Sequence, residues 1–316
     1  KKTRPAWTTS IRRGLEYILF RFGLYLGKKL SIPQLQKLGL MIGNFAYYVL
    51  RKDRGIVIKQ LKLIFPELNN TEREQWTREC FRHFGQMLFE FLCLPQIISN
   101  QENLIEVENE AALMNAVNAG KGVILLGMHM GNWELITAYA KRTGLFMTAS
   151  TANFPDQRIN KLMINQRKHE NMEIMPRGTG MSSRKLFRCL KKKNILILII
   201  DQDTNVPSTW IPFFGIPAKT PIGAAVFSIK TGANVVSYNV IRESDGTFRL
   251  KFESLGIFGR NNTSMEKDIY SVTRKINEHL EGRIRENPQQ WAWFHRRWRH
   301  RPSSEELKKM DELERK

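Results

Sequence analysis

Residues 122–134, GVILLGMHMGNWE, limit the fold more than any other stretch of this 316-residue chain. A continuous apolar run, opened by Gly122 and closed at His129, leads into an amphipathic segment. That pattern reads as a buried strand feeding a helix. It puts His129 and Glu134 around the carboxyl end of the strand, where open α/β sheets keep their ligand crevices. Five positions on one continuous helix turn through about 500°, so the two side chains would diverge by about 140°. They meet only if the chain bends between them. Met130-Gly131-Asn132 supplies the bend, because Gly131 tolerates unusual dihedrals and Asn132 is expected to cap a helix starting at Trp133. An imidazole oriented by a carboxylate draws a proton from a hydroxyl, so Glu134 is expected to orient His129. Spacing alone fits equally a histidine bonded to backbone beside an ordinary surface glutamate.

From Lys121 onward short apolar runs alternate with amphipathic ones. Strands are expected at Val123–Met128, Leu145–Ser150, Glu173–Met175, Ile195–Ile200, Val235–Ile241 and Phe248–Glu253. Helices are expected at Trp133–Arg142, Gln157–Glu170, Met181–Lys192, Ile222–Thr231 and Glu266–Glu286. This alternation predicts an α/β fold with a mostly parallel central sheet flanked by helices, its last pair of strands antiparallel. Residues 1–120 read as helical, with a capping box at Thr71-x-x-Glu74. Trp76, Cys80, Phe81, Phe84, Leu88, Phe91 and Leu92 follow at helical spacing, as a core stripe does. Three regions result: a helical, membrane-associating 1–120, an α/β region 121–302, and a charged tail 303–316.

Fifty Lys and Arg against thirty Asp and Glu give a net charge of +20, which implies an anionic partner. Nucleic acid, an acidic carrier protein, a phosphorylated substrate and an anionic membrane all qualify. A hydrophobic content of 42% excludes a disordered chain. Cys80, Cys93 and Cys189 are an odd number without metal spacing, as expected of reduced, structural thiols. The six histidines are scattered, so no metal site and no cofactor is expected. Leu15–Leu26 and Leu38–Leu50 are aromatic-rich apolar runs, shorter than the ~20 residues that a spanning helix needs. Joined by Lys28, Lys29 and Lys37, they read as interfacial helices. Core helices, or one tilted span beginning upstream of Leu15, are the other readings. The opening KKTRPAW lacks the pattern of a cleavable signal.

Further residues carry chemistry. Arg167 and Arg177 both follow the second strand, and a guanidinium there could clamp a phosphate or stabilise an oxyanion. Surface arginines are the plain alternative. Asp201 and Asp203 lie just past the buried run Ile195–Ile200, where acids are costly unless paired or solvated; a structural pairing role is favoured for them. Residues 210–221, WIPFFGIPAKTP, read as a Pro- and Gly-rich loop whose apolar wall, including Phe213 and Phe214, would suit a hydrocarbon chain. Residues 286–302 interleave Arg296, Arg297 and other basic residues with Trp291, Trp293, Phe294 and Trp298. Three readings compete there: aromatic stacking on nucleic acid, an interfacial anchor, and a phosphate-reading patch. The first has no nucleic-acid module beside it.

Taken in order, LKLIFPELNNTEREQW at 61–76, the His-x4-Glu of 129–134, PRGTGM at 176–181, DQD at 201–203, PFFGIPAKTPIGAA at 212–225 and NPQQWAWFHRRWRHRP at 287–302 resemble the bacterial lipid A late acyltransferases. Those enzymes belong to the lysophospholipid acyltransferase superfamily. The resemblance implies an enzyme on the cytoplasmic face of the inner membrane, held there monotopically or by a single N-terminal anchor. Such an enzyme moves an acyl chain from acyl carrier protein to a hydroxyl of an anionic Kdo-bearing lipid A precursor. It makes His129 the general base, Glu134 its partner and Arg167 the site arginine, with Arg177 the close alternative. Asn132, Arg177, Asp201, Asp203, Phe213, Phe214, Arg296 and Arg297 are then expected to bind substrate. Related enzymes acylate other glycolipids, such as a phosphatidylinositol mannoside, or a lysophospholipid, and some use acyl-CoA. A basic nucleic-acid-binding protein and a hydrolase on the same fold are the alternatives from other classes.

Overall fold

The computed structural model describes residues 6–176, 180–261 and 264–315. Nine strands are described: β1 (Ile105–Glu108), β2 (Val123–Gly127), β3 (Met147–Thr151), β4 (Met172–Pro176), β5 (Ile195–Ile199), β6 (Ser208–Phe213), β7 (Ile216–Pro221), β8 (Asn234–Arg242) and β9 (Phe248–Ile257). Seven form one sheet in the order β1-β9-β8-β2-β5-β3-β4, and β6 pairs with β7 alone. All neighbours in the large sheet run parallel except β8 and β9. The expected mostly parallel sheet with an antiparallel final pair is what forms.

The helices are α1 (Ala6–Lys29), α2 (Ile32–Val49), α3 (Arg51–Ile64), α4 (Asn70–Leu92), α5 (Leu94–Ser99), α6 (Gln101–Leu104), α7 (Glu110–Asn118), α8 (Ile136–Thr143), α9 (Gln157–Arg167), α10 (Gly180–Lys191), α11 (Gly223–Thr231), α12 (Met265–Glu286) and α13 (Ser304–Glu314). Strand residues alternate between two cores. Ile124, Leu126, Leu196, Leu198 and Val235 share one with α10, α11 and α12. Val123, Leu125, Ile195, Ile197 and Val236 share the other with α5, α7 and α8. Burial on both faces explains why β2, β5 and β8 read as near-continuous apolar runs.

The strand order makes the crevice. β2 leads through α8 to β3, two places to one side, whereas β5 leads to β8 on the far side of β2. The chain therefore leaves the adjacent strands β2 and β5 in opposite directions, which opens a cleft at their carboxyl ends.

Several expectations are corrected. Residues 1–120 are not wholly helical, because Ile105–Glu108 pairs parallel with β9. The capping box of α4 is built by Asn69 and Glu72, not Thr71 and Glu74. Residues 210–221 are not a loop: Pro212 and Pro217 oppose each other in the β6–β7 hairpin, where both strands are edges and tolerate proline. Its two-residue turn takes Phe214 and Gly215 to φ of 53° and 72°, as a type I′ turn requires. Residues 303–316 include α13, whose Met310 is buried and whose Glu314 accepts from Tyr270 and Arg274.

No helix among the described residues is long and apolar enough to cross a membrane. Instead α2 lies backbone-to-backbone on α4. A Cβ at Gly43 would sit 2.2 Å from the Phe81 carbonyl, and one at Gly85 2.2 Å from the Gly39 carbonyl. Replacing Gly43 by Leu is expected to lower stability by about 1–3 kcal/mol. Gly55→Ala, where an added Cβ meets nothing within 4 Å, is expected to leave it unchanged or raise it. Denaturant unfolding of both variants checks the contrast; equal stability of Gly43→Leu and wild type would contradict the close crossing.

Candidate active site

His129 stands two residues past β2, and Asp201 two residues past its neighbour β5. The β2–β5 register, which pairs Gly127 with Ile199, brings the two side by side. The His129 Nδ1–Asp201 Oδ1 distance is 2.7 Å. Asp201 Oδ2 accepts the His129 backbone N–H at 2.7 Å and the Trp291 indole N–H at 2.8 Å. Burial alone would raise the Asp201 carboxyl, but His129 and these hydrogen bonds hold it below the ordinary carboxylate range. An ionised carboxylate only accepts, so the ring proton sits on Nδ1 and Nε2 is left as a base. The His129 side chain keeps 25% of its exposure, with Trp133 packed edge-on against its ring at 4.9 Å between centroids.

The expected contact between Glu134 and His129 does not form. Glu134 instead takes Arg167 in a two-pronged ion pair, Nε to Oε2 and Nη2 to Oε1, both 2.6 Å. Arg167 also lies over the Phe91 ring. Burial opposes its charge, yet Glu134 outweighs that and raises the guanidinium above its ordinary value. Two of its five N–H groups are used by Glu134.

The bend between His129 and Glu134 is locked by backbone packing and hydrogen bonds. Gly131 has φ 58°, and a Cβ there would lie 1.6 Å from the Val240 carbonyl. Gly131 donates its N–H to Gln290, Asn132 donates its own to Val240, and Ala292 donates to the His129 carbonyl, each at 2.9 Å. Asn132 does not cap the short 3₁₀ turn Trp133–Leu135 with its side chain. Its Nδ2 donates to Glu90 of α4 at 2.9 Å. Glu90 is fully buried and also receives Gln36 at 3.0 Å and two N–H groups of Arg242, at 2.8 and 2.5 Å. Arg242 donates a third to His83 Nδ1, which leaves the other ring nitrogen of His83 to donate to the Gly131 carbonyl at 3.2 Å. Burial first, and the nearby Arg242 second, hold His83 neutral, well below its ordinary value.

Residues 8–300 match the model of the bacterial lipid A biosynthesis acyltransferases. The chain belongs to that family. It is 28% identical over 297 residues to the lipid A biosynthesis palmitoleoyltransferase of Escherichia coli (strain K12), covering 92% of this chain and 94% of the relative. Identity to the lauroyltransferase of the same organism is 25% over 288 residues, 88% and 90% of the two chains. A phosphatidylinositol mannoside acyltransferase of Mycobacterium tuberculosis (strain CDC 1551 / Oshkosh) is 23% identical over 186 residues, 58% of this chain and 56% of the relative.

In this acyltransferase the structure sorts the other expected site residues. Asp203 is buried and ties the C-terminal segment down through His300 at 2.6 Å and Arg299 at 3.3 Å. Arg297 is fully buried, donating to the Lys219 carbonyl at 2.7 Å and to Thr220 at 2.6 Å. Burial lowers it to about 10, and it has no surface left for a substrate. Phe213 is fully buried among Trp291 and Trp298, so it offers no wall to a hydrocarbon. Phe214 is half-buried at the hairpin tip under Arg285, and Arg296 is exposed. Arg177 lies outside the described residues. Trp291, Trp293 and Trp298 are core residues, which overturns their reading as stacking or interfacial groups.

The residues that sequence reasoning missed are Asp201 as the partner of His129, the Trp291 donor, and the Glu90–Arg242–His83 cluster. Glu90 left a signal, an acid inside an apolar helical stripe, which needs a buried partner.

His83, His169, His279 and His295 are all lowered chiefly by burial. Each takes a proton near 6.5 when unfolded but not when folded, so stability is complete above about pH 6.5 and falls as the pH drops below it. The melting temperature is expected to decline from pH 7 to pH 5, and His83→Gln to flatten that slope in part. A slope unchanged in His83→Gln would count against its buried, neutral state.

Proposed function

We propose that this protein transfers a fatty acyl chain from acyl carrier protein to a hydroxyl of a Kdo-bearing lipid A precursor. The observation that carries the reading is His129 held by Asp201 at 2.7 Å, with Arg167 fixed by Glu134 five residues further along the chain. Matches of 88% and 92% of the chain to lipid A relatives, against 58% for the mannoside enzyme, favour a lipid A acceptor.

In this mechanism Nε2 of His129 takes the proton of the acceptor hydroxyl as its oxygen attacks the thioester carbonyl. Asp201 stabilises the imidazolium that forms. The N–H groups of Arg167 that Glu134 leaves free stabilise the developing oxyanion. Collapse of the tetrahedral intermediate breaks the carbon–sulfur bond, and the departing thiolate takes the proton back from His129. No acyl-enzyme is needed, because the hydroxyl attacks directly.

The same reading puts the enzyme on the cytoplasmic face of the inner membrane. Leu15, Ile18, Leu19, Phe22 and Tyr25 form one exposed stripe on α1, and Met41, Ile42, Phe45, Tyr48 and Val49 another on α2. Two such helices, with basic residues Lys28, Lys29 and Lys37 around them, suit burial in a headgroup layer.

Two measurements test the proposal. Purified protein with mixed acyl carrier protein thioesters and tetraacylated Kdo-lipid A should yield lipid heavier by one acyl group. His129→Ala and Asp201→Asn should lower turnover by about 100- to 10,000-fold, and Glu134→Gln, which loosens Arg167, by about 100-fold or more. Near-normal turnover in folded Asp201→Asn would sink the assigned base. Separately, Phe22→Ser with Phe45→Ser should reduce flotation with anionic vesicles while the melting temperature holds; undiminished flotation would remove these helices from the membrane contact.

A further inference from the structure

An open groove of about 530 Å³ runs between α10 and α11, on the sheet face opposite the one near which α1 packs on α9. Its rims carry Arg184, Arg188 and Lys191 from α10 and Lys230 from α11, and Phe187 and Phe227 line it. Arg184, Arg188 and Lys191 recur at i, i+4 and i+7, so they form one stripe along the helix. All four cations are exposed, and among the described residues none is paired with an acid. Lys191 covers the Phe187 ring at 5.7 Å instead. Four unpaired like charges so close together repel one another, and folding alone gives no reason for them.

We propose that this groove docks an acidic, amphipathic helix of the acyl-carrying donor protein. Position decides among anionic partners: the exposed apolar stripe of α1 suits a bilayer and lies on the other side of the sheet, while the groove between α10 and α11 offers two rings flanked by cations. A helix with an apolar stripe flanked by carboxylates fills such a slot, its apolar residues on Phe187 and Phe227 and its acids on the four cations. Topology gives the groove a direction. α10 leads into β5 and α11 into β8, so the first turns of both helices lie toward the carboxyl ends of the strands, where His129 stands. Arg184 lies nearest those first turns, whereas Arg188, Lys191 and Lys230 lie toward the last turns, so a helix laid along the groove runs toward the cleft from the side away from α1. The inference rests on the carrier-protein donor of the proposed function.

The test uses the full chain with Arg188→Glu and Lys230→Glu together, two exposed substitutions outside the catalytic cleft. Binding of a fluorescent acyl carrier protein thioester is followed by anisotropy, and turnover is compared between that donor and acyl-CoA. The variant is expected to bind the carrier roughly tenfold or more weakly. Its KM for the carrier should rise in step, turnover with acyl-CoA should be unchanged, and the salt dependence of carrier binding should flatten. Carrier affinity within twofold of wild type would overturn the groove, and so would reduced vesicle flotation with carrier binding intact, which would assign the cations to the membrane. Wild type that binds the carrier through these residues yet transfers nothing from it would sink the donor reading and leave the groove standing. Equal transfer from the carrier by wild type and the variant would do the reverse.

Discussion

Glu90 has no exposed surface, so its charge is tolerable only with partners inside the protein. It finds Arg242 at the end of β8, Gln36 on α2 and Asn132 in the bend after β2. One carboxylate thus joins the helical N-terminal region to the sheet and to the residues between His129 and Glu134. The close crossing of α2 and α4 at Gly39, Gly43 and Gly85 brings Gln36 within reach, and His83 extends the same cluster to the Gly131 carbonyl. The bend holds its shape because a buried charge would otherwise be stranded.

On that frame the cleft divides its acids between two tasks. Asp201 serves His129: it fixes the ring's tautomer and accepts Trp291 from the C-terminal segment. Glu134 serves the cation, gripping Arg167 at 2.6 Å through both oxygens. The C-terminal aromatics, far from forming a binding surface, close the core beneath the cleft, and Gln290 clasps Arg242 through its backbone N–H and carbonyl. The motifs at 129–134, 201–203 and 287–302 therefore converge on one small arrangement of His129, Asp201 and Trp291.

Much of the fold was legible in the residues. β2 and β5 are apolar almost throughout, so their pattern survives without neighbours, and His129 stood out by position, whereas Arg167 was set apart from Arg177 only by the family resemblance. The partner of His129 did not. Asp201 lies 72 residues away, and it becomes adjacent only because β5 returns beside β2 after β3 and β4 have been laid down outside it. Strand order of that kind leaves no periodicity behind. β1 was hidden by its length of four residues, two of them glutamates. The β6–β7 hairpin was hidden by its prolines, which are tolerated because neither strand has a second neighbour.

Asp201, not Glu134, sets the state of His129. Nitrogen NMR of ¹⁵N-histidine-labelled protein, with the His129 signals assigned by loss in His129→Gln, reads the ring tautomer directly. The account predicts a proton on Nδ1 in wild type and in Glu134→Gln, and a changed pattern in Asp201→Asn. A proton on Nε2 in wild type, or a pattern that responds to Glu134→Gln and ignores Asp201→Asn, would contradict it.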